Sequence, residues 1–154
     1  MNNMPNNQSS EAGSARSFAG VARPVTAVTG REVGADIVNL GSGNKPFAVF
    51  SFRLGDSNSV EAGQVYRGPG VRTAIVHTHP ANRNFSGSGN AVWNRGWRGS
   101  FATSGDMERA LSAEANAYVS LPDRGILKFD FIGMSSDRTD DNVLNAKDYI
   151  TRLP

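Results

Sequence analysis

Residues 73–80 read Thr-Ala-Ile-Val-His-Thr-His-Pro, an apolar run that ends in two histidines one residue apart and then a proline. The stretch Thr73 to His79 predicts a buried strand, and Pro80, which has no N–H to give, ends its ladder pairing. Successive side chains on a pleated strand point to opposite faces, so His77 and His79 project from the same face within reach of one ion. They are the only two histidines of the chain. Such a pair is either a set of metal ligands or a hydrogen-bonded couple closing a strand end. Because there is no third histidine and no cysteine, zinc held here needs a carboxylate as third ligand and keeps one position for water, the arrangement of catalytic zinc sites. Asp106 is the leading third ligand. It opens a helix that the sequence predicts after a long loop, where its carboxylate can lean back over the end of the preceding strand. Taken alone, it is equally a first-turn acid facing free N–H groups.

Outward from this strand, Glu32 to Leu40 and Pro46 to Phe52 are short apolar runs on either side of Gly-Ser-Gly-Asn, which reads as a hairpin. Asp56 to Gly70 reads as loop with a small strand at Gln64 to Tyr66. Ala81 to Ser100 is a long surface loop, rich in Gly, Asn and Arg and carrying both tryptophans; loops of this length are usually functional or disordered. Helix then resumes, with Thr103 or Ser104 as cap, Asp106 and Glu108 in the first turn, and Met107, Ala110, Leu111 and Ala115 as apolar stripe. Ala117 to Leu121 and Ile126 to Ile132 flank Pro-Asp-Arg-Gly as a second hairpin. A last helix from about Asp140 to Thr151 packs Val143, Leu144 and Ile150. Phe18 to Thr29 is a short helix or irregular lead-in, interrupted by Pro24. The fold class is α/β or α+β, a mixed β-sheet flanked by helices.

A length of 154 residues suits one domain. The apolar fraction of 38% is low, and Met1 to Ser17, with four Asn, four Ser and no large apolar residue beyond two Met, accounts for the excess as a disordered tail or linker. The expected division is therefore tail over residues 1–20 and domain over 21–154, with an inserted loop over 81–100. No apolar run suits export or a membrane span, so the expectation is a soluble protein without a cleavable signal and without a membrane partner. A net charge of +2, from 16 bases and 14 acids, does not ask for nucleic acid as partner. Thirteen of the bases are Arg and three are Lys, a bias of genome composition or of a protein delivered into a foreign cytosol. The lack of cysteine removes disulfide scaffolds, thiol nucleophiles and thiolate zinc sites.

His77-Thr78-His79-Pro80, followed by Thr103-Ser104-Gly105-Asp106 and preceded by Glu32-Val33-Gly34, resembles the JAMM motif of the JAB/MPN metallopeptidase family, in which an upstream Glu precedes H-x-H-P and S-x-x-D. Arg31 to Val38, Val76 to Pro80, Phe101 to Asp106 and Tyr118 to Asp130 are similar to the bacterial JAB-like domains at the ends of polymorphic toxins. The resemblance runs from about Arg31 to Asp130 and implies a cytidine-deaminase-like single domain. It implies that His77, His79 and Asp106 hold Zn2+, that Glu32 activates the bound water as general base, and that a hydroxyl, of Thr103 or Ser104, steadies the tetrahedral oxyanion. Thr103 stands where the family has Ser. His79 and Asp106 are 27 positions apart, more than the family spacing, hence the inserted loop. Glu61 is the substitute base if Glu32 faces away.

The expected function is a zinc-dependent peptidase or isopeptidase acting on a peptide or ubiquitin-like protein substrate. Its setting is that of a bacterial effector or toxin, secreted or delivered by a specialised system and faced by an immunity protein. Trp93, Arg95 and Trp97, with Arg98, can grip an extended peptide or stack on bases, or simply anchor the loop. A metal-dependent nuclease toxin and a binding module that lost its chemistry are the alternatives.

Overall fold

The structure, a computed structural model, describes residues 7–57, 60, 66–86, 92–93, 105–139 and 143–154. It is a mixed α+β arrangement: helix α1 (Glu11–Thr29), strands β1 (Val33–Asn39), β2 (Phe47–Leu54), β3 (Val71–Thr78) and β4 (Val92–Trp93), helix α2 (Asp106–Ala113), strands β5 (Asn116–Ser120) and β6 (Ile126–Phe129), helix α3 (Phe131–Asp137), strand β7 (Leu144–Asn145), a 3-10 turn (Ala146–Tyr149) and strand β8 (Ile150–Arg152). Six strands form one sheet in the order β2-β1-β3-β5-β6-β8. Only β3 and β5 run parallel. Parallel neighbours need a crossover, and α2 supplies it by returning the chain across one face.

Strand periodicity divides β3 between two cores. Ala74 and Val76 join Ala35, Ile37, Val49 and Tyr118 under α1. Ile75 joins Ala117, Val119, Phe85, Phe129, Met107 and Met134 on the opposite face, against α2 and α3. His77 follows Ile75 onto that second face, and Thr78 follows Val76 onto the first. There the Thr78 hydroxyl meets that of Thr26 on α1 and accepts the N–H of Val33 at 2.9 Å. Burial on both faces is what the near-continuous apolar runs of β1 and β3 express.

The hairpins expected around residues 41–45 and 122–125 are present as β1-β2 and β5-β6. The strand expected up to Pro80 is β3. Three expectations need correction. The tail assigned to residues 1–20 is, from Glu11 onward, the first half of a 19-residue helix. Ser10 caps it, accepting the N–H of Gly13 at 2.9 Å. Ser14, Ala15, Phe18, Ala19, Ala22 and Thr26 are buried at helical spacing. This helix packs closely through small residues, so a count of large apolar side chains passes over it. Glu11 then pins its start to the sheet, accepting from Tyr118 Oη at 2.7 Å and Asn116 Nδ2 at 3.0 Å. Pro24 does not interrupt the helix: it and Gly20, whose carbonyl loses its partner, both lie on the exposed side, where water can take the bond.

The second correction is the helix expected over Asp140 to Thr151, which is instead β7, one 3-10 turn and the edge strand β8 paired to β6. Leu144 and Ile150 do reach the core, but from extended backbone, while Val143 stays exposed. The third is the strand expected to run on to Ile132. It stops at Phe129 because Asp130 caps α3, its carboxylate accepting the N–H of Gly133 at 3.0 Å. The loop expected over 81–100 includes β4, which pairs Val92 and Trp93 with Asn145 and Leu144. The strand expected at Gln64 to Tyr66 falls mostly outside the described residues. Among those described, no helix is long and apolar enough to cross a membrane.

Candidate metal centre

The site lies at the C-terminal end of β3, where the strand still pairs with β1 on one side and β5 on the other. Gly34 stands opposite His77 and Val119 beside it. The glycine is needed for space: a Cβ there would meet both methyls of buried Val60 at 3.0 Å. Glu32 immediately precedes β1 and His79 immediately follows β3. His79 itself is fixed beyond the strand by its N–H, which donates to the Ser120 carbonyl at 2.9 Å. Phe85 packs edge-on to the His77 ring with centroids 6.4 Å apart.

Asp106 is brought to the histidines by one residue of the loop, Ser86. The Ser86 N–H donates to Asp106 Oδ2 at 2.8 Å, and the Asp106 N–H donates to Ser86 Oγ at 2.8 Å. Ser86 thus caps α2 from 20 positions away, a task the sequence had assigned to Thr103 or Ser104. The position just before the helix is Gly105, at φ 85° and ψ −154°. That backbone region is almost confined to glycine, and a Cβ at Gly105 would stand 2.3 Å from Ser86 Oγ.

The three expected ligands converge. His77 Nε2 and His79 Nε2 are 3.0 Å apart. His77 Nε2 lies 3.3 Å from Asp106 Oδ1, and His79 Nε2 lies 3.2 Å from Asp106 Oδ2. All three residues are buried. One ligand atom from each residue lies within 4.8 Å of the others, so the three can reach a common ion; around tetrahedral zinc the ligand atoms stand about 3.3 Å apart. The proton count points the same way. His79 Nδ1 lies 3.1 Å from the Arg83 carbonyl, which can only accept, so Nδ1 carries the hydrogen and a neutral ring offers its Nε2 lone pair inward. That lone pair faces a carboxylate and a second imidazole nitrogen. A proton on His77 can relieve one of these contacts; the one between His79 and Asp106 needs a second proton or a cation.

Burial alone would raise the Asp106 carboxyl. The charge of His77, the two imidazoles and the Ser86 N–H outweigh it and hold the group well below the ordinary carboxylate range. Its place in the first turn of α2 adds the partial positive charge of the helix end. Asp106 is therefore both the first-turn acid and the third member of the cluster.

Glu32 is 1% exposed and is not part of that group. One oxygen accepts from Arg83 Nη2 at 2.9 Å, whereas Oε2 is buried without a hydrogen-bond partner. Its backbone is fixed on both sides, the N–H donating to the Asp56 carbonyl at 2.7 Å and the carbonyl accepting from Gly55 at 2.8 Å. Arg83 thus orients the His79 ring through its carbonyl and holds Glu32 through its side chain. Sequence reading missed Arg83, Ser86 and Gly105, because each acts through backbone groups or through a contact across the loop. Thr103, Ser104, Arg95, Trp97 and Glu61 lie outside the described residues; Trp93 is described only as part of β4.

A crevice of about 490 Å³ lies between α1 and the turn after β5, with His79 and Pro80 in its wall. Comparison with known proteins returns no matching family, no matching curated protein and no matching solved structure.

Proposed function

We propose that this chain is a zinc-dependent peptidase or isopeptidase with a fold of the JAB/MPN type. One observation carries the reading: two buried imidazole nitrogens, 3.0 Å apart, each lie within 3.3 Å of an oxygen of the same buried carboxylate. His79 is oriented from behind by the Arg83 carbonyl, the kind of outer support that metal-bound histidines use. Two nitrogens and one carboxylate oxygen suit zinc and leave a position for solvent. Bound there, the ion supplies Lewis acidity and lowers the pKa of a coordinated water towards 7.

The chain's own groups account for the remaining work. Glu32 has one oxygen fixed by Arg83 and the other free of any hydrogen bond; in this reading the free oxygen takes the proton of the attacking water and hands it to the leaving amine. The oxyanion then falls to a hydroxyl of Thr103 or Ser104, and the tryptophan and arginine segment at 93–97 grips the substrate. A peptide or a ubiquitin-like conjugate is the substrate class, in an effector or toxin setting.

Metal analysis of the purified protein tests the reading, with one zinc per chain expected and none in His77→Ala or Asp106→Ala. Glu32→Gln is expected to keep zinc and lose hydrolysis of peptide or isopeptide substrates. Iron in place of zinc, or turnover of RNA or DNA with none of peptides, overturns it.

A further inference from the structure

The crevice between α1 and the β5-β6 turn, which His79 reaches, carries more than an apolar wall. It is lined by Ala19, Gly20, Arg23, Pro24, Thr26 and Ala27 of α1, by His79 and Pro80, and by Pro122 and Arg124 of the β5-β6 turn. Arg23 and Arg124 also line an adjoining cavity of about 200 Å³, so they stand between the two.

The Arg23 guanidinium is only partly matched. Arg23 Nε and Nη2 are buried without a hydrogen-bond partner, and five N–H donors on a planar fork are an expensive group to leave unmatched. The nearest acid in the turn, Asp123, is already taken: its Oδ1 accepts from Gly125 N–H at 2.8 Å and its Oδ2 pairs with Arg152 at 3.1 Å. Burial first, and then the charge of Arg124, depress the Arg23 pKa, and the charge of Asp123 offsets them only in part. Arg124 itself is held at φ 71°, a conformation that non-glycine residues seldom adopt without cause. The described side chains thus bring two arginines to one wall, with the neighbouring acid Asp123 hydrogen-bonded elsewhere and Arg23 Nε and Nη2 without a partner.

We propose that the crevice is a substrate subsite in which Arg23 and Arg124 bind a carboxylate, an acidic side chain or the free C-terminus of the peptide, while Pro24, Ala27, Pro80 and Pro122 receive the adjoining chain beside His79. The inference rests on the peptidase reading and names its substrate class: acidic peptides, or peptides cut close to their carboxyl end. A carboxylate matches a guanidinium fork in bidentate fashion. A nucleic-acid backbone fits less well, since the same turn carries Asp123 and the chain as a whole has a charge of only +2.

Fluorescein-labelled hexapeptides test it on the zinc-loaded Glu32→Gln protein, with affinity read by anisotropy. One peptide contains Asp and ends as amide, a second contains Asn and ends as amide, and a third contains Asn and ends as carboxylate. An oligonucleotide of equal length is the fourth probe. The Asp peptide, the carboxylate-ended peptide or both are expected to bind at least about ten-fold more tightly than the Asn amide. Arg23→Gln and Arg124→Asn, the latter tolerant of the left-handed backbone, are expected to abolish that preference while zinc content and melting temperature stay unchanged. Equal binding of all three peptides, tightest binding of the oligonucleotide, or a preference that survives both substitutions overturns the subsite. Carboxylate-selective binding without cleavage of any peptide by the Glu32-containing protein would instead overturn the peptidase reading and leave the subsite standing.

Discussion

Replacing Gly105 by alanine puts the support of the candidate ligand Asp106 to the test. The added Cβ would stand 2.3 Å from Ser86 Oγ and 3.0 Å from Ser86 Cβ, so Ser86 must move. The backbone at φ 85°, ψ −154° adds strain of about 1–3 kcal/mol for any residue with a side chain. Ser86 gives and takes one hydrogen bond with Asp106; the neutral one is worth about 1 kcal/mol and the one to the carboxylate about 1.5–3 kcal/mol. The expected loss is about 3.5–7 kcal/mol, a large share of the roughly 5–15 kcal/mol that holds a domain together. Urea denaturation of the metal-free protein followed by circular dichroism measures it. Competition with a chromophoric chelator measures zinc affinity, which should fall about 10–100-fold if Ser86 orients the ligand. Gly30→Ala is the control: its φ is 68°, nothing lies within 4 Å, and only the left-handed backbone cost of about 1–2 kcal/mol applies. Should Gly105→Ala prove too unstable to assay, Ser86→Ala removes the clashing oxygen, and the double variant should lose less than the sum of the singles. A Gly105→Ala protein that loses no more stability than Gly30→Ala and binds zinc like the parent refutes the reasoning.

Zinc at about a thousand times its dissociation constant should stabilise the protein by about 4 kcal/mol. For a chain of this size that raises the melting temperature by about 8–16 °C; a chelator should reverse the shift and His77→Ala should show none, so a melting curve indifferent to zinc counts against the centre. Arg83→Gln removes the ion partner of buried Glu32 but leaves the backbone carbonyl that orients His79. It should keep zinc affinity while costing about 1–3 kcal/mol of stability, and weakened zinc binding would contradict this division of labour. In alkali, burial and Glu11 raise the Tyr118 hydroxyl, burial raises that of Tyr66, and a hydrogen bond to Asp137 lifts Tyr149 to about 12. A phenol with a raised folded pKa stabilises the fold below its unfolded pKa of about 10 and ceases to do so as the pH climbs through the folded value. Absorbance at 295 nm should therefore stay flat up to about pH 10, and a tyrosine ionising there in the folded protein would show the assignment to be wrong.

The sheet was legible where side-chain type and backbone role coincide. Thr73 to Pro80 combines β-branched residues with a proline stop, and each hairpin has glycine or Pro-Asp-Arg-Gly between apolar runs. Helix α1 was legible only in its second half, Phe18 to Thr29, as a short helix or lead-in; its first half was not, because what it buries ahead of Phe18 is Ser14 and Ala15, a pattern visible by spacing and invisible by bulk. The C-terminal segment failed for the opposite reason. Val143, Leu144 and Ile150 can be placed on a helix by period alone, but the free edge of β6 takes the chain as a strand through hydrogen bonds of Leu127, Lys128 and Phe129, and backbone donors carry no residue signature.

The same distinction runs through the site. His77 and His79 could be named because they are the only histidines of the chain, and Asp106 because it opens the next helix and matches the motif. The groups that aim them, the Arg83 carbonyl, the Ser86 N–H and the bare Cα of Gly105, could not. One consequence joins the two halves of the fold. Thr78 lies between the two histidines in sequence but on the other face of β3, where its hydroxyl is shared by Thr26 of α1 and the N–H of Val33. Val33 follows Glu32, so a single hydroxyl ties the strand that carries both imidazoles, the residue next to the candidate base, and the helix that walls the crevice. The segment that composition would discard as a tail thereby runs into the helix that is tied to the strand of both imidazoles through Thr26 and Thr78.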